Sequence, residues 1–207
     1  MSRSKSSGKW LREHFDDPYV KQSQIDGYRS RSAYKLIEIN NKYKILNNGT
    51  NIVDLGAAPG GWIQAITKSI KPSNIIGLDL LEIEPINGAK LIVGDFTDNN
   101  ILDDLLKHLD NKPLDLVLSD MAPNMSGHTE IDIPRSMYLA ELAQDFANMT
   151  LKKEGHLVMK VFQGEGFDTL LKSLRTEYKK VMSFKPKSSR PRSKELYLVC
   201  KNKKHQA

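Results

Sequence analysis

Cys200 is the only cysteine in 207 residues. A disulfide framework and a cysteine-based zinc site are thereby excluded, and the chain suits a reducing compartment. No run reaches the roughly 18 apolar residues that a membrane helix needs. No apolar segment follows the basic start, so no secretory signal is expected. There is no internal repeat and no long linker. Two glycine signatures are missing as well: the G-x-G-x-x-G of dinucleotide folds and the Gly-Lys-Ser/Thr that closes a phosphate loop. A dinucleotide oxidoreductase is set aside on that ground.

What is present is positive charge, with 31 Lys and Arg against 25 Asp and Glu, a net of +6. Polyanions are the expected partners, nucleic acid first. The charge is clustered: Arg3, Lys5, Lys9 and Arg12, then Arg29, Arg31 and Lys35, then Lys185, Lys187, Arg190, Arg192 and Lys194. These groups are expected to contact phosphates, which positions a nucleic acid without reading its sequence. A basic, Ser-rich start also fits a transit peptide, but Trp10 and Phe15 look like packing residues.

Hydrophobic periodicity divides the rest. Residues 1–30 are expected to form an arm with a short helix. A helix is expected over 32–46, stopped by Asn47-Asn48-Gly49. Strands are expected at 51–56, 74–80, 90–95, 114–120 and 155–162. Helices are expected at 61–70, at 97–109 with a Thr97 cap, at 134–151 with Pro134 near its first turn, and at 167–178. Strands at 180–186 and 195–201 close the chain, possible hairpin partners around the basic loop. Strands alternating with helices give an α/β fold with a mostly parallel sheet, one domain over 31–207 behind the arm.

Ligands of such sheets bind outside the carboxyl ends of the strands. VDLGAAPGGW (53–62) joins strand to helix through Gly56, Gly60 and Gly61, which let a backbone approach a ligand. Asp79 ends the next strand, where a carboxylate reaches a ribose diol. Asp95 and Phe96 end the third, where they can accept from an adenine amino group and stack on its ring. The set suits an adenosine cofactor without a pyrophosphate. Asp120 ends the fourth strand. Lys160 stands inside the apolar run LVMKVF, where a lysine is out of place without a partner. The topology makes Asp120 and Lys160 neighbours in one crevice beside the cofactor.

DLGAAPGGW, DMAPNMSG, DIPRSMY and KVFQGEGF closely resemble the FtsJ family of ribosomal RNA 2′-O-ribose methyltransferases, and the resemblance spans nearly the whole chain. It implies a Rossmann-like class I methyltransferase fold, a mostly parallel seven-stranded sheet with helices on both faces, and S-adenosyl-L-methionine as cofactor. The family's Lys-Asp-Lys-Glu tetrad falls on Lys35, Asp120, Lys160 and Glu195. Gly60, Gly61 and Trp62 would border the methionine part, Asp79 the ribose, and Asp95 with Phe96 the adenine; Gly56, Pro59 and Asp120 complete the set. Trp62 reads equally as a core anchor. The implied substrate is a uridine in the A-loop region of large-subunit (23S) ribosomal RNA on the assembled 50S subunit. Transfer RNA or an mRNA cap is the alternative substrate, and a non-enzymatic ribosome-assembly factor with a relic pocket the alternative class. A cytoplasmic monomer is expected, with no metal and no membrane partner.

Overall fold

The computed structural model describes residues 16–204. Arg3, Lys5, Lys9, Trp10, Arg12 and Phe15 lie outside the described residues. Helix α1 (Pro18–Ile25) starts where the Asp17 carboxylate accepts the Tyr19 N–H at 3.0 Å and Pro18 takes the first turn. Helix α2 (Ala33–Tyr43) buries Ala33, Leu36 and Ile39 on one face.

The strands are β1 (Asn51–Leu55), β2 (Asn74–Asp79), β3 (Lys90–Val93), β4 (Leu114–Ser119), β5 (Leu151–Phe162), β6 (Tyr178–Phe184) and β7 (Glu195–Lys203). They form a seven-stranded sheet in the order β3-β2-β1-β4-β5-β7-β6. The first five run parallel, and β7 lies antiparallel between β5 and β6. Between them run α3 (Gly61–Ser69), α4 (Asn99–Leu109), α5 (Thr129–Thr150) and α6 (Phe167–Glu177).

Alternate residues of each strand feed two cores, one on each face. Val53, Ile76, Val117, Leu157 and Met159 pack with Leu105, Phe146 and Leu174 of the helices on one side. Ile52, Ile75, Leu116, Val158 and Tyr197 pack with Leu36, Trp62 and Ile63 on the other. Strand order reverses between β1 and β4, which opens the crevice at their carboxyl ends. Gly56 (φ +77°) makes the turn there, and a Cβ on it would stand 2.8 Å from the Met121 backbone nitrogen. Only glycine lets the loops after β1 and β4 meet.

Several boundaries differ from the sequence reading: β3 ends at Val93, so Asp95 and Phe96 lie in the loop after it, β6 starts at Tyr178 and β7 runs on to Lys203, and four further differences follow. Helix α2 ends at Tyr43 because Lys44 turns left-handed (φ 51°) and the Asn40 side chain accepts the N–H groups of Ile45 and Leu46. Asp98, not Thr97, caps α4, accepting the Asn100 N–H at 2.9 Å. Helix α5 starts at Thr129, not at Pro134. The turn ahead of that proline is held by Asp132, whose buried carboxylate accepts the N–H groups of Ser126 and Gly127 at 2.8 and 3.0 Å. Strand β5 begins at Leu151, directly after α5.

Candidate active site

Two depressions meet at the carboxyl ends of β4 and β5. The smaller, about 270 Å³, runs from Gly56 past Asp79, Asp95 and Phe96 to Asp120. The larger, about 930 Å³, holds Lys35, Lys160 and Glu195, with Arg190, Arg192 and Lys194 along one wall. Ala122 belongs to both, so the step from Asp120 to Lys160 is the seam between them.

At that seam Lys160 Nζ lies 3.0 Å from Asp120 Oδ1 and also donates to the Asp120 carbonyl. Only 8% of its side chain is exposed. Register places it there: Lys160 shares a face of β5 with Val158 and pairs with Tyr197 of β7. The Tyr197 hydroxyl donates to the same Asp120 oxygen at 2.7 Å. Burial alone pushes the Asp120 carboxyl up, but the Lys160 and Lys35 ammoniums and the Tyr197 hydroxyl outweigh it and hold it below the usual carboxylate range. Lys35 Nζ lies 2.8 Å from Glu195 Oε1 and 5.6 Å from the centre of the Tyr197 ring. The four tetrad positions are thus brought together, with Tyr197 between the two ion pairs. Tyr197 was not singled out from the sequence. The period-2 spacing Glu195, Tyr197 was the available signal.

In the smaller cleft, Asp79 Oδ2 accepts the Ala58 N–H at 2.8 Å and Oδ1 the Leu81 N–H at 2.9 Å. Each oxygen keeps lone-pair capacity for a further donor. Asp95 uses Oδ1 to hold the Thr97 N–H and hydroxyl, at 2.9 and 2.7 Å. Those bonds lower its pKa. Phe96 meets Phe146 edge-on, ring centres 5.6 Å apart, while lining the cleft. Pro59, Gly60, Gly61 and Trp62 form the adjoining loop and first turn of α3. Trp62 is turned inward: its indole N–H donates to the Ser32 carbonyl at 2.8 Å and its ring packs on Tyr197 at 5.8 Å.

Asp54, on the buried face of β1, was also missed. It is fully buried and neither carboxylate oxygen has a hydrogen-bond partner. Burial, then the charges of Asp120 and Asp79, raise its pKa well above the usual range. The signal was the one that marked Lys160, a charge inside an apolar strand.

Two of the arginines expected to meet phosphates also make bonds within the protein. Arg29 donates to the carbonyls of Pro59, Glu84 and Pro85 at 3.3, 2.5 and 2.9 Å, clasping the loop after β1 to the segment after β2. Arg31 pairs with Asp17 and donates to the Ser188 carbonyl. Lys185 likewise donates to the Ser193 carbonyl at 2.6 Å.

The FtsJ-like methyltransferase family matches residues 28–203. The chain belongs to that family. It is 54% identical over 205 residues to a ribosomal RNA large subunit methyltransferase E of Hydrogenovibrio crunogenus, covering 99% of this chain and 100% of the relative. A protein of the same description from Pseudomonas fluorescens is 52% identical, covering 96% of each chain. A crystal structure of a ribosomal RNA methyltransferase from Plasmodium falciparum superposes with a TM-score of 0.77 at 34% identity, covering 86% of this chain and 100% of that one. The fold is therefore the class I methyltransferase fold that the motifs resembled. As a methyltransferase the protein needs a methyl donor. Among the described residues no helix is long and apolar enough to cross a membrane.

Proposed function

We propose that the protein transfers the methyl group of S-adenosyl-L-methionine to the ribose 2′-oxygen of a uridine in the A-loop region of large-subunit ribosomal RNA, acting on the assembled 50S subunit. The observation that carries the reading is the Lys160–Asp120 pair at the seam of the two depressions. Substrate class follows the relatives, described as large-subunit ribosomal RNA methyltransferases. The basic wall of the larger groove fits a phosphate backbone.

The smaller cleft fits the cofactor. Asp79 and Asp120 place carboxylates where a cationic donor would sit, and Phe96 offers an aromatic surface at the other end. When bound, S-adenosylmethionine supplies a methyl group activated by the positive charge on its sulfur. Asp79 would hold the ribose, Asp95 and Phe96 the adenine, and the Gly56–Gly61 loop with Asp120 the methionine part.

In the larger groove Lys160 meets the 2′-hydroxyl. A neutral amine there would take the proton that the hydroxyl gives up as its oxygen receives the methyl group, and an ammonium would steady the charge developing on that oxygen while the proton passes to solvent. Asp120 fixes the direction of the Lys160 side chain, and the hydroxyl of Tyr197 fixes Asp120. Lys35 and Glu195 complete the network that holds the nucleophile in line with the methyl group. The same reading makes the protein a cytoplasmic, metal-independent monomer, its methyltransferase domain over 31–207 behind a basic arm at 1–30.

The test is transfer of labelled methyl to large ribosomal subunits lacking the modification, with transfer RNA alongside, followed by mapping of the label. Label on a ribose 2′-oxygen of the large-subunit RNA is the expected result. Label on transfer RNA alone would overturn the substrate, and label on neither, with cofactor bound, would favour an assembly factor.

A further inference from the structure

A second groove lies on the other side of the basic loop from the reaction site. Tyr19 of α1, Tyr34 and Ile37 of α2 and Phe184 of β6 line a cavity of about 560 Å³, with Lys42 and Lys187 exposed at its rim. The rings are held in place. Tyr19 and Tyr34 pack with centres 5.6 Å apart, Tyr34 is tied to Asp26 at 2.6 Å, and Phe184 meets Tyr43 edge-on at 5.7 Å. Lys42 Nζ lies 4.7 Å from the centre of the Phe184 ring. Glu38 is the one acid in the lining, and the N–H groups of Lys187 and Ser188 occupy its two oxygens at 2.6 and 2.9 Å. Those bonds fasten the loop to α2. The loop carries Lys187 into this groove and Arg190, Arg192 and Lys194 to the reaction groove. It is a basic ridge with a depression on each side.

We propose that this groove takes an unpaired nucleotide of the RNA substrate, its base stacked among Tyr19, Tyr34 and Phe184 and its phosphates against Lys42 and Lys187. Partly exposed aromatic rings beside cations are the pairing that binds single-stranded nucleic acid, because every base has a stacking face and every nucleotide a phosphate. A protein helix would use the apolar floor but not the two lysines. Continuity across the ridge lets one strand occupy both grooves. The site is separate from the Lys160 centre and acts on substrate affinity, not on the chemical step. The inference rests on the reading of the protein as an RNA methyltransferase.

The experiment uses the full chain and a single-stranded RNA of about 12 nucleotides, intact and with each base removed in turn. Tyr19→Ala is expected to weaken RNA binding about tenfold, the usual scale of one base–aromatic stack. Tyr19→Phe should bind as the wild type does. One abasic position should weaken wild-type binding about tenfold and cost the Tyr19→Ala variant nothing further. Cofactor affinity should be unchanged throughout, and turnover should show a raised KM with an unaltered kcat. Lys187→Glu, an exposed position on the loop rather than among the rings, gives a second reading and should weaken binding as well. Variants that bind and turn over RNA as the wild type does would overturn the groove and leave the proposed function standing. So would variants that lose turnover only on assembled subunits while binding naked RNA normally, which would assign the groove to a protein partner. A wild-type protein that methylates no RNA would overturn the function, and the groove with it.

Discussion

Asp120 Oδ1 meets two donors, Lys160 Nζ at 3.0 Å and the Tyr197 hydroxyl at 2.7 Å. One oxygen thereby fixes a cation at the seam of the two depressions. Lysine loses much freedom when held in one rotamer, and the two strands that carry Lys160 and Tyr197 are paired at these residues. The direction of the amine is built into the sheet.

Asp54 gives a prediction about pH. Its folded-state pKa is raised, so its contribution to stability is full below the ordinary carboxylate range and is lost as pH rises toward the folded value. Asp54→Asn removes that loss. In the cofactor-free protein the variant should melt above the wild type by about 2–4 °C or more at pH 8, and the gap should shrink toward pH 5. Thermal melts across that range check it. Parallel curves for the two proteins would show that Asp54 is not the titrating group.

Arg29 should act on the cofactor and not on RNA. Its guanidinium reaches three carbonyls of the segments after β1 and β2. Arg29→Ala should weaken cofactor binding about five- to tenfold, the scale of one lost charge-assisted bond on an exposed side chain. Calorimetric titration with S-adenosylmethionine measures this. The salt dependence of RNA binding should be unchanged; a shallower slope would return Arg29 to the phosphate contacts.

Lys194 should behave in the opposite way. It is exposed on the wall of the larger groove. Lys194→Ala should lower the slope of log affinity against log salt by about 0.7 for one phosphate contact on a single strand, with cofactor affinity unchanged. An unaltered slope would take Lys194 out of the interface.

Much of this site was readable in the chain because charge inside an apolar strand stands out. Lys160 in LVMKVF stands out in that way, Asp120 is marked by its place at the carboxyl end of LVLSD, and α/β alternation places the two side by side. Asp54 obeyed the same rule and was passed over among the glycines that follow it. Other features depend on tertiary partners that no local pattern specifies. Arg29 and Arg31 read as phosphate ligands by their charge, but the carbonyls of Pro59 and Ser188 arrive from distant segments and claim them. The start of α5 was masked by Pro134, because the turn ahead of it is held by the Asp132 side chain and not by helix propensity. Trp62 allowed two readings, and the Ser32 carbonyl decided for the core.

The most direct measurement is the single-turnover rate of methyl transfer by Lys160→Ala with cofactor and large subunits both saturating. The account predicts a fall of about a hundredfold or more, the scale for loss of a group that stabilises charge in the transition state, with the fold and cofactor binding retained. A variant that transfers methyl at near the wild-type rate would show that the chemistry does not pass through the Lys160–Asp120 pair.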